Sequence, residues 1–393
     1  MEALQGLKVI ELGHAVAGPF CSCLLADFGA DVLKIEAPGS GDMLRGMGLF
    51  PNLWFTVEDR NKKCVTLDIK SERGKELFTD LLRDADILIQ NMRPGTLTKL
   101  GFPWDRLQEI NPRLILVNIS GYGQDGPYRD KPAFDRIGMA LGGLTHVTGY
   151  RDGPPTRTGI ALADFTAGIF GAMGALIAIY NRDVVETGRG QQIDSTLYES
   201  ILRLMESGLV EYSYAGIVKT RNGNRHIATV PSGHYLTKDE QYLVMAVGGD
   251  KLFQKFANLI DMPELLKDER FNTMNARAVH HDEMEQIAEA WVREHTIQEC
   301  LDILGNDIPC SKVFTVEDMF KDPHFAARND IISLETEQFG KLSMQNVTPI
   351  LSETPGHVHW AGPKMGSYNE KLYLEELKLS REEYDQLRSE GII

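Results

Sequence analysis

The chain has 393 residues, 42% of them hydrophobic and 25% charged, the composition of an ordinary globular protein that is too long for one ordinary core. Its 41 Lys and Arg against 56 Asp and Glu leave a formal charge of −15, a field that repels nucleic acid and anionic membrane surfaces. Five cysteines (Cys21, Cys23, Cys64, Cys300, Cys310) with no C-x-x-C pair imply a reduced, cytoplasmic compartment.

The N-terminus carries acids within its apolar stretch and no cationic start, which is not the form of a signal peptide, and residues 8–12 read as a first strand. Gly18-Pro19 opens a helix over 20–28 that stops at Gly29; residues 31–36 form the next strand, before the turn Pro38-Gly-Ser-Gly-Asp42. The pattern recurs with a strand at 64–68, a helix capped by Ser71 and running to 83, and a strand at 86–90. It recurs again with a helix at 102–110 and the near-continuous apolar strand 114–119, of the kind buried on both faces. Such alternation is the sequence form of βαβ units on a parallel sheet.

A helix rich in small residues begins near Asp164. Its uncharged stretch, 165–181, falls short of the roughly 20 apolar residues of a membrane span. Ala167, Gly168, Gly171, Gly174, Ala175 and Ala178 allow close backbone approach. A helix over 194–205 follows, then the polar, turn-rich Thr220-Arg-Asn-Gly-Asn-Arg225. From 233 to 322 a hairpin-like pair, 234–236 and 242–247, precedes mostly helical sequence. Strands at 334–337 and 341–344 and a charged helix at 370–387 return the tail to the first domain. The expected fold is α/β: a Rossmann-like large domain with a parallel sheet, 1–205 completed by 330–393, plus a smaller α+β domain, 225–325. Residues 206–224 and 326–330 are the expected linkers.

Gly121-Tyr-Gly-Gln-Asp-Gly126 matches G-x-G-x-x-G after a good strand, but Pro127 and Pro132 forbid the continuous helix that a dinucleotide site needs, so a conformational role for the glycines is expected. His14 sits at the C-terminal end of the first strand, where open α/β sheets bind ligands; a satisfied loop histidine is the alternative. Arg60-Asn-Lys-Lys63, Lys70 and the group Asn91-Met-Arg-Pro-Gly95 with Lys99 lie at or next to strand ends, and fit a solvated surface or a phosphate-bearing ligand equally. Asp164 reads either as an N-cap or as a partly desolvated nucleophile at a helix N-terminus. His280-His281 and His357-x-His359 lack a third ligand nearby, and no metal is expected. Neither G-x-S-x-G nor a P-loop is present.

Taken together, Leu7-Lys-Val-Ile-Glu-Leu-Gly-His-Ala-Val-Ala-Gly-Pro19, Leu25-Ala-Asp-Phe-Gly-Ala-Asp-Val-Leu-Lys-Ile-Glu36, Gly39-Ser-Gly-Asp42, Arg60-Asn-Lys-Lys-Cys-Val-Thr-Leu-Asp68, Asn91-x-Arg-Pro-Gly95, Ser120-Gly-Tyr-Gly123, Ala163-Asp-Phe-Thr-Ala-Gly168 and Thr187-Gly-Arg-Gly-Gln191 resemble the family III CoA transferases, of which formyl-CoA transferase and carnitine CoA-transferase are familiar members. The resemblance runs in order along nearly the whole chain. It implies a large domain made from both chain ends, a small domain between, and two monomers interlocked as a homodimer. It further implies an acyl-CoA thioester and a small carboxylic acid as substrates, no permanently bound cofactor, and Asp164 as the catalytic aspartate that carries first an anhydride and then a CoA thioester. The family's CoA contacts fall on His14, Val16 and Ala17; on Leu67, Asp68, Ile69 and Lys70; on Asn91, Met92, Arg93 and Lys99; and on Lys131, Phe134 and Asp135. Val16, Ala37 and Pro132 depart from residues that some members carry there. The α-methylacyl-CoA racemases share much of this motif set but have Gly-His-Asp where this chain reads Ala133-Phe134-Asp135, and phenylalanine carries no proton, so a transferase is expected over a racemase. Oxalate-specific members carry a run of glycines where Ile227-Ala-Thr-Val-Pro-Ser-Gly-His-Tyr235 has one, which argues against oxalate.

Overall fold

In the computed structural model, which describes residues 2–226 and 229–393, the apolar runs of the N-terminal half pair as one parallel sheet. The strands are β1 (Lys8–Glu11), β2 (Asp31–Glu36), β3 (Lys63–Thr66), β4 (Ile87–Gln90), β5 (Ile115–Ser120) and β6 (Gln192–Thr196), in the order β3-β2-β1-β4-β5-β6. Every neighbour is parallel, with Ile10 of β1 opposite Leu33 of β2 and Leu88 of β4. The order reverses between β1 and β4, and a crevice opens there at the carboxyl ends of the strands. Every residue of β4 and β5 is buried, as strands covered on both faces require. The sequence reading missed β6 and placed a helix from 194. At the sheet edge the strand is half exposed and polar, so no apolar run announces it.

Five helices place the site: α1 (Ala17–Ala26), α2 (Glu72–Arg83), α3 (Asp135–Leu141), α4 (Leu162–Asp183) and α5 (Leu197–Arg203). Ser71 caps α2 as expected, its Oγ accepting the Gly74 N–H at 3.0 Å. Helix α1 starts at Ala17, ahead of the expected residue 20, because Pro19 falls within the first turn, where its missing donor costs nothing. Helix α4 runs for 22 residues and is, by length and composition only, long and apolar enough to cross a membrane. Its Ala163, Ala167, Ala175 and Ala178 belong to the core under the sheet, while Ile169, Met173, Ile177 and Tyr180 are exposed. Glycine lets it approach α1: a Cβ on Gly168 would lie 3.0 Å from the Ala17 carbonyl oxygen, and one on Gly171 would lie 3.1 Å from Cys21 Sγ.

The chain divides into two units. The first holds the N-terminal stretch through Thr145, Thr158–Ile217 and Ala327–Ile393; the second holds His146–Arg157 and Val218–Ala326. His146–Arg157 therefore clusters with the second unit and not with the large domain to which the sequence pattern gave it. The stretch read as the linker 206–224 contains a helix, Gly208–Ala215. Within the second unit, β7 (Ser232–Leu236), β8 (Tyr242–Ala246) and β9 (Cys310–Lys312) form an antiparallel sheet. With α6 (Gly249–Leu259), α7 (His281–Arg293) and α8 (Ile297–Leu304) it buries Leu243, Phe253, Phe256, Met284 and Val292. The glycine-poor stretch compared with oxalate-specific enzymes begins at Ile227 and Ala228, which lie outside the described residues.

The tail returns to the first unit. Its β10 (Ile331–Thr336) and β11 (Gly340–Gln345) make an antiparallel hairpin. The expected charged helix at 370–387 is divided into a wide turn, Lys371–Glu376, and α9 (Arg381–Ser389), separated at Lys378, whose φ is +59°. The wide turn brings Tyr373 inward, where its hydroxyl donates to the Thr66 carbonyl at 2.6 Å and so fastens the tail to β3.

Candidate active site

The loops after β1 and β4 stand side by side at the strand-order reversal and are tied to each other. The His14 N–H donates to Asn91 Oδ1 at 2.9 Å, and Asn91 Nδ2 donates to the His14 carbonyl at 2.8 Å. The flanking residues are tied from below. Lys34 Nζ donates to the Gly13 carbonyl at 3.1 Å, and the Ala15 N–H donates to Asp42 Oδ1 at 2.8 Å. Ala15 is held at φ +64°, a left-handed conformation that L-residues seldom adopt, and the chain passes directly into Val16 and the start of α1.

Beneath this loop lies a buried charge cluster that sequence reasoning did not find. Lys34 Nζ reaches Glu11 at 2.7 Å, Asp42 at 2.7 Å and Asp59 at 3.3 Å. Lys62 Nζ reaches Glu11 at 2.9 Å and Asp59 at 2.7 Å. Burial pushes the Glu11 carboxyl up, but the two ammonium groups outweigh it and hold it at about 2. The acid triad Glu11, Asp42 and Asp59 has metal-like spacing, yet the Lys34 ammonium already bridges all three acids and that of Lys62 two of them. The phosphate reading of Arg60-Asn-Lys-Lys63 is thereby corrected. Arg60 is buried on Asp27, with Nε 2.9 Å from Oδ1; Lys62 belongs to the cluster; Lys63 pairs with Asp31. Charges at strand ends look alike in sequence whether they face water or one another.

Two cavities adjoin the His14 loop. The smaller, about 90 Å³, is lined by His14, Ala15, Val16, Ala17, Asn91, Ile119, Ser120, Gly121, Ala133, Phe134, Leu197 and Asp164. The larger, about 340 Å³, shares His14 and is lined by Leu67, Asp68, Ile69, Lys70 and Met92 together with Ala37, Asp42, Met43, Thr96 and Leu100. Eleven of the fifteen residues anticipated from sequence thus line these two adjoining cavities. Arg93, Lys99, Lys131 and Asp135 line neither of these cavities. Arg93 and Lys99 are exposed on the turn after β4, and Lys131 stacks over the Tyr128 ring at 3.7 Å. Ser120, Gly121, Ala133 and Leu197 were not anticipated, since small and apolar linings carry no chemical signal.

Asp164 sits in the first turn of α4 but does not cap it; Ala161 is the N-cap residue, without a side-chain bond. The carboxylate serving the helix start is Asp135, whose Oδ1 accepts the Ala163 N–H at 2.8 Å. Among the described residues no hydrogen bond reaches the Asp164 carboxylate. Burial, and then the charge of Asp135, push its carboxyl up from the ordinary 3.8 to about 7. A carboxylate with no partner, half-buried at a pocket floor, retains its lone pairs for an incoming electrophile. Gly121 to Gly126 behave as the sequence suggested: no helix follows β5 until α3, and Gly123 and Gly126 hold φ of +99° and +80°.

A doubly wound sheet with a crevice at its strand-order reversal, and a half-buried carboxylate at a helix N-terminus beside it, is the architecture of an α/β enzyme. Residues 4–369 match the sequence profile of CoA-transferase family III, and the chain belongs to that family of CoA-transferases. It is 41% identical to the succinyl-CoA–D-citramalate CoA-transferase of Chloroflexus aurantiacus, over 99% of this chain and 98% of that one. It is 33% identical to the formyl-CoA:oxalate CoA-transferase of Streptomyces coelicolor, over 100% of this chain and 99% of that one. Among solved structures, a CaiB/BaiF family protein from Brucella suis matches with a TM-score of 0.85 at 30% identity, covering 95% of this chain and 99% of that one. These likenesses favour the transferase over the racemase alternative.

Proposed function

We propose that the enzyme moves coenzyme A from an acyl-CoA to a carboxylic acid by covalent catalysis on Asp164. The observation that carries this reading is the Asp164 carboxylate itself, without a hydrogen-bond partner, pushed up to about 7 and facing the cavity beside the His14 loop. Its oxygen attacks the donor thioester carbonyl; the carbon–sulfur bond breaks, and CoA leaves as the thiolate with a mixed anhydride formed. The thiolate then attacks the Asp164 carbonyl and expels the donor carboxylate, leaving an aspartyl-CoA thioester. The acceptor carboxylate displaces CoA from it as a new anhydride, and thiolate attack on the acyl carbon releases the new acyl-CoA and frees Asp164. No net proton transfer is needed. The larger cavity, walled by residues 67–70, suits the nucleotide end of CoA, with Lys70 on its wall, and Arg93 and Lys99 outside it on the exposed turn after β4, as phosphate partners. Relatives at 41% and 38% identity are named for succinyl-CoA with citramalate or malate, so we take succinyl-CoA as donor and a small hydroxy-dicarboxylic acid as acceptor. A second copy of the chain, packed on the exposed apolar face of α4, completes a homodimer, and the free cysteines are in keeping with a cytoplasmic setting.

Hydroxylamine tests the intermediate. Incubation with succinyl-CoA alone, followed by hydroxylamine, is expected to leave a hydroxamate on Asp164 in the peptide spanning 159–182. Labelling on a different carboxylate would reassign the nucleophile, and deuterium exchange into the donor's α-carbon without any label would replace transfer with racemisation.

A further inference from the structure

The buried charge cluster beneath the His14 loop has no part in the proposed chemistry, yet it touches the wall of the pocket. We propose that Asp42 is a positioning residue for CoA transfer, fixing the 13–17 loop in the left-handed turn that sets the pocket wall facing Asp164. This rests on the Asp164 reading given above.

The geometry is specific. Asp42 Oδ1 accepts the Ala15 and Leu44 N–H groups, both at 2.8 Å, while its Oδ2 accepts from Lys34 Nζ at 2.7 Å. That same ammonium holds the Gly13 carbonyl, so one ion pair clamps the residues on either side of His14, and Asn91 clamps His14 itself. Ala15 at φ +64° is sterically disfavoured and persists because these bonds over-determine it. Val16 and Ala17, next along the chain, line the pocket with Asp164. A shift of their backbone by a fraction of an ångström would move the wall against which the thioester must be aligned. The cluster tolerates the loss of this acid, since removing Asp42 leaves Glu11 and Asp59 matched by Lys34 and Lys62 without an uncompensated charge.

The test uses Asp42→Ala and Asp42→Asn in the full-length enzyme. Asparagine keeps an oxygen to accept the Ala15 and Leu44 N–H groups but presents an N–H donor to Lys34, giving up the ion pair and its hydrogen bond, which Glu11, Asp59 and the Gly13 carbonyl still supply to that ammonium; alanine gives up the N–H contacts as well. D42A is expected to lower kcat about 100-fold, with a smaller rise in KM for succinyl-CoA, under about tenfold, since Asp42 is one residue of the larger cavity and its walls at 67–70 are untouched. D42N is expected to restore kcat to within about tenfold of wild type, and hydrogen exchange in a peptide covering 12–18 should rise in D42A only. The proposal is overturned if D42A keeps wild-type kcat, if its 12–18 exchange is unchanged, or if both variants lose activity equally in step with melting temperature. Should the wild type transfer CoA to no acid at all, the proposed reaction fails, while the exchange comparison still decides whether Asp42 anchors the loop.

Discussion

Asp164 is the proposed nucleophile, and its ionisation gives that proposal a pH signature. Its folded value near 7 lies above the ordinary 3.8, so the folded protein keeps the proton that the unfolded chain loses first. The nucleophile is the carboxylate, so kcat/KM is expected to fall about tenfold per unit below pH 7; a pH–rate profile with its inflection near 4 would remove the argument. The same shift favours the fold below pH 3.8, and this contribution is lost as pH rises through 7. Asp164→Asn should therefore lower kcat by about 10³-fold or more while gaining roughly 1–3 kcal/mol at pH 8 in urea denaturation. Lys62 gives the opposite case. Lys62→Met strands Glu11 and Asp59 around Lys34 alone, and about 3–5 kcal/mol of stability should go with it, seen as a lower urea midpoint. The position of Asp164 at a helix start was legible in sequence, but its residue pattern read equally as an N-cap, and the structure gives that place to Ala161. The roles of Arg60 and Lys62 were not legible, since only the fold shows that Asp27, Glu11 and Asp59 converge on them.

At the scale of elements, α1 and α4 carry the two halves of the pocket, the His14 loop and Asp164, and their contact sets the pocket's width. Phe20 and Phe165 meet edge to face at 4.8 Å across it, and the glycines beside them allow the close approach. A Cβ on Gly171 would lie 3.1 Å from Cys21 Sγ and 3.3 Å from Ile119 and Val117. Gly171→Ala therefore sets a helix-propensity gain of about 1 kcal/mol against slight crowding and should be nearly neutral. Gly171→Leu must push α4 off the sheet, and a loss of about 3 kcal/mol is expected, together with reduced kcat, measured by urea titration and initial rates. Small-residue spacing announced this contact, and apolar runs announced β4 and β5. Residues 192–196 gave no such signal, because an edge strand of Gln, Ile, Asp, Ser and Thr satisfies its backbone on one side and needs no apolar side chains. The tail broke into two pieces for a reason that propensity does not carry: Tyr373 is drawn to the Thr66 carbonyl, a partner distant in sequence.

At the scale of the molecule, the expectation that the tail rejoins the large domain rests on strand patterning after 331 and a charged terminal helix, and Ala327–Ile393 does cluster with the first unit. The placement of His146–Arg157 was not legible, since that segment is polar and turn-rich and joins the second unit through contacts such as Asn224 with the Tyr150 hydroxyl at 3.1 Å. Exposed apolar side chains gather on the outer face of α4, with Ile169, Met173, Ile177 and Tyr180, and on the helix Gly208–Ala215, with Leu209, Val210, Tyr212 and Tyr214. Apolar side chains presented this densely mark an interface, and the proposed second copy is the occupant to test. Ile177 is 60% exposed, so Ile177→Asp costs the isolated chain's own packing little. Buried in an interface, the same carboxylate would be desolvated without a partner, at several kcal/mol per copy and twice over in a symmetric pair. The wild type is expected to sediment at twice the 43.9 kDa chain mass and Ile177→Asp at the single chain mass, with an unchanged far-ultraviolet circular dichroism spectrum. A wild type that sediments as a monomer at micromolar concentration would remove the second copy, and a variant that stays dimeric would move the interface off this face of α4.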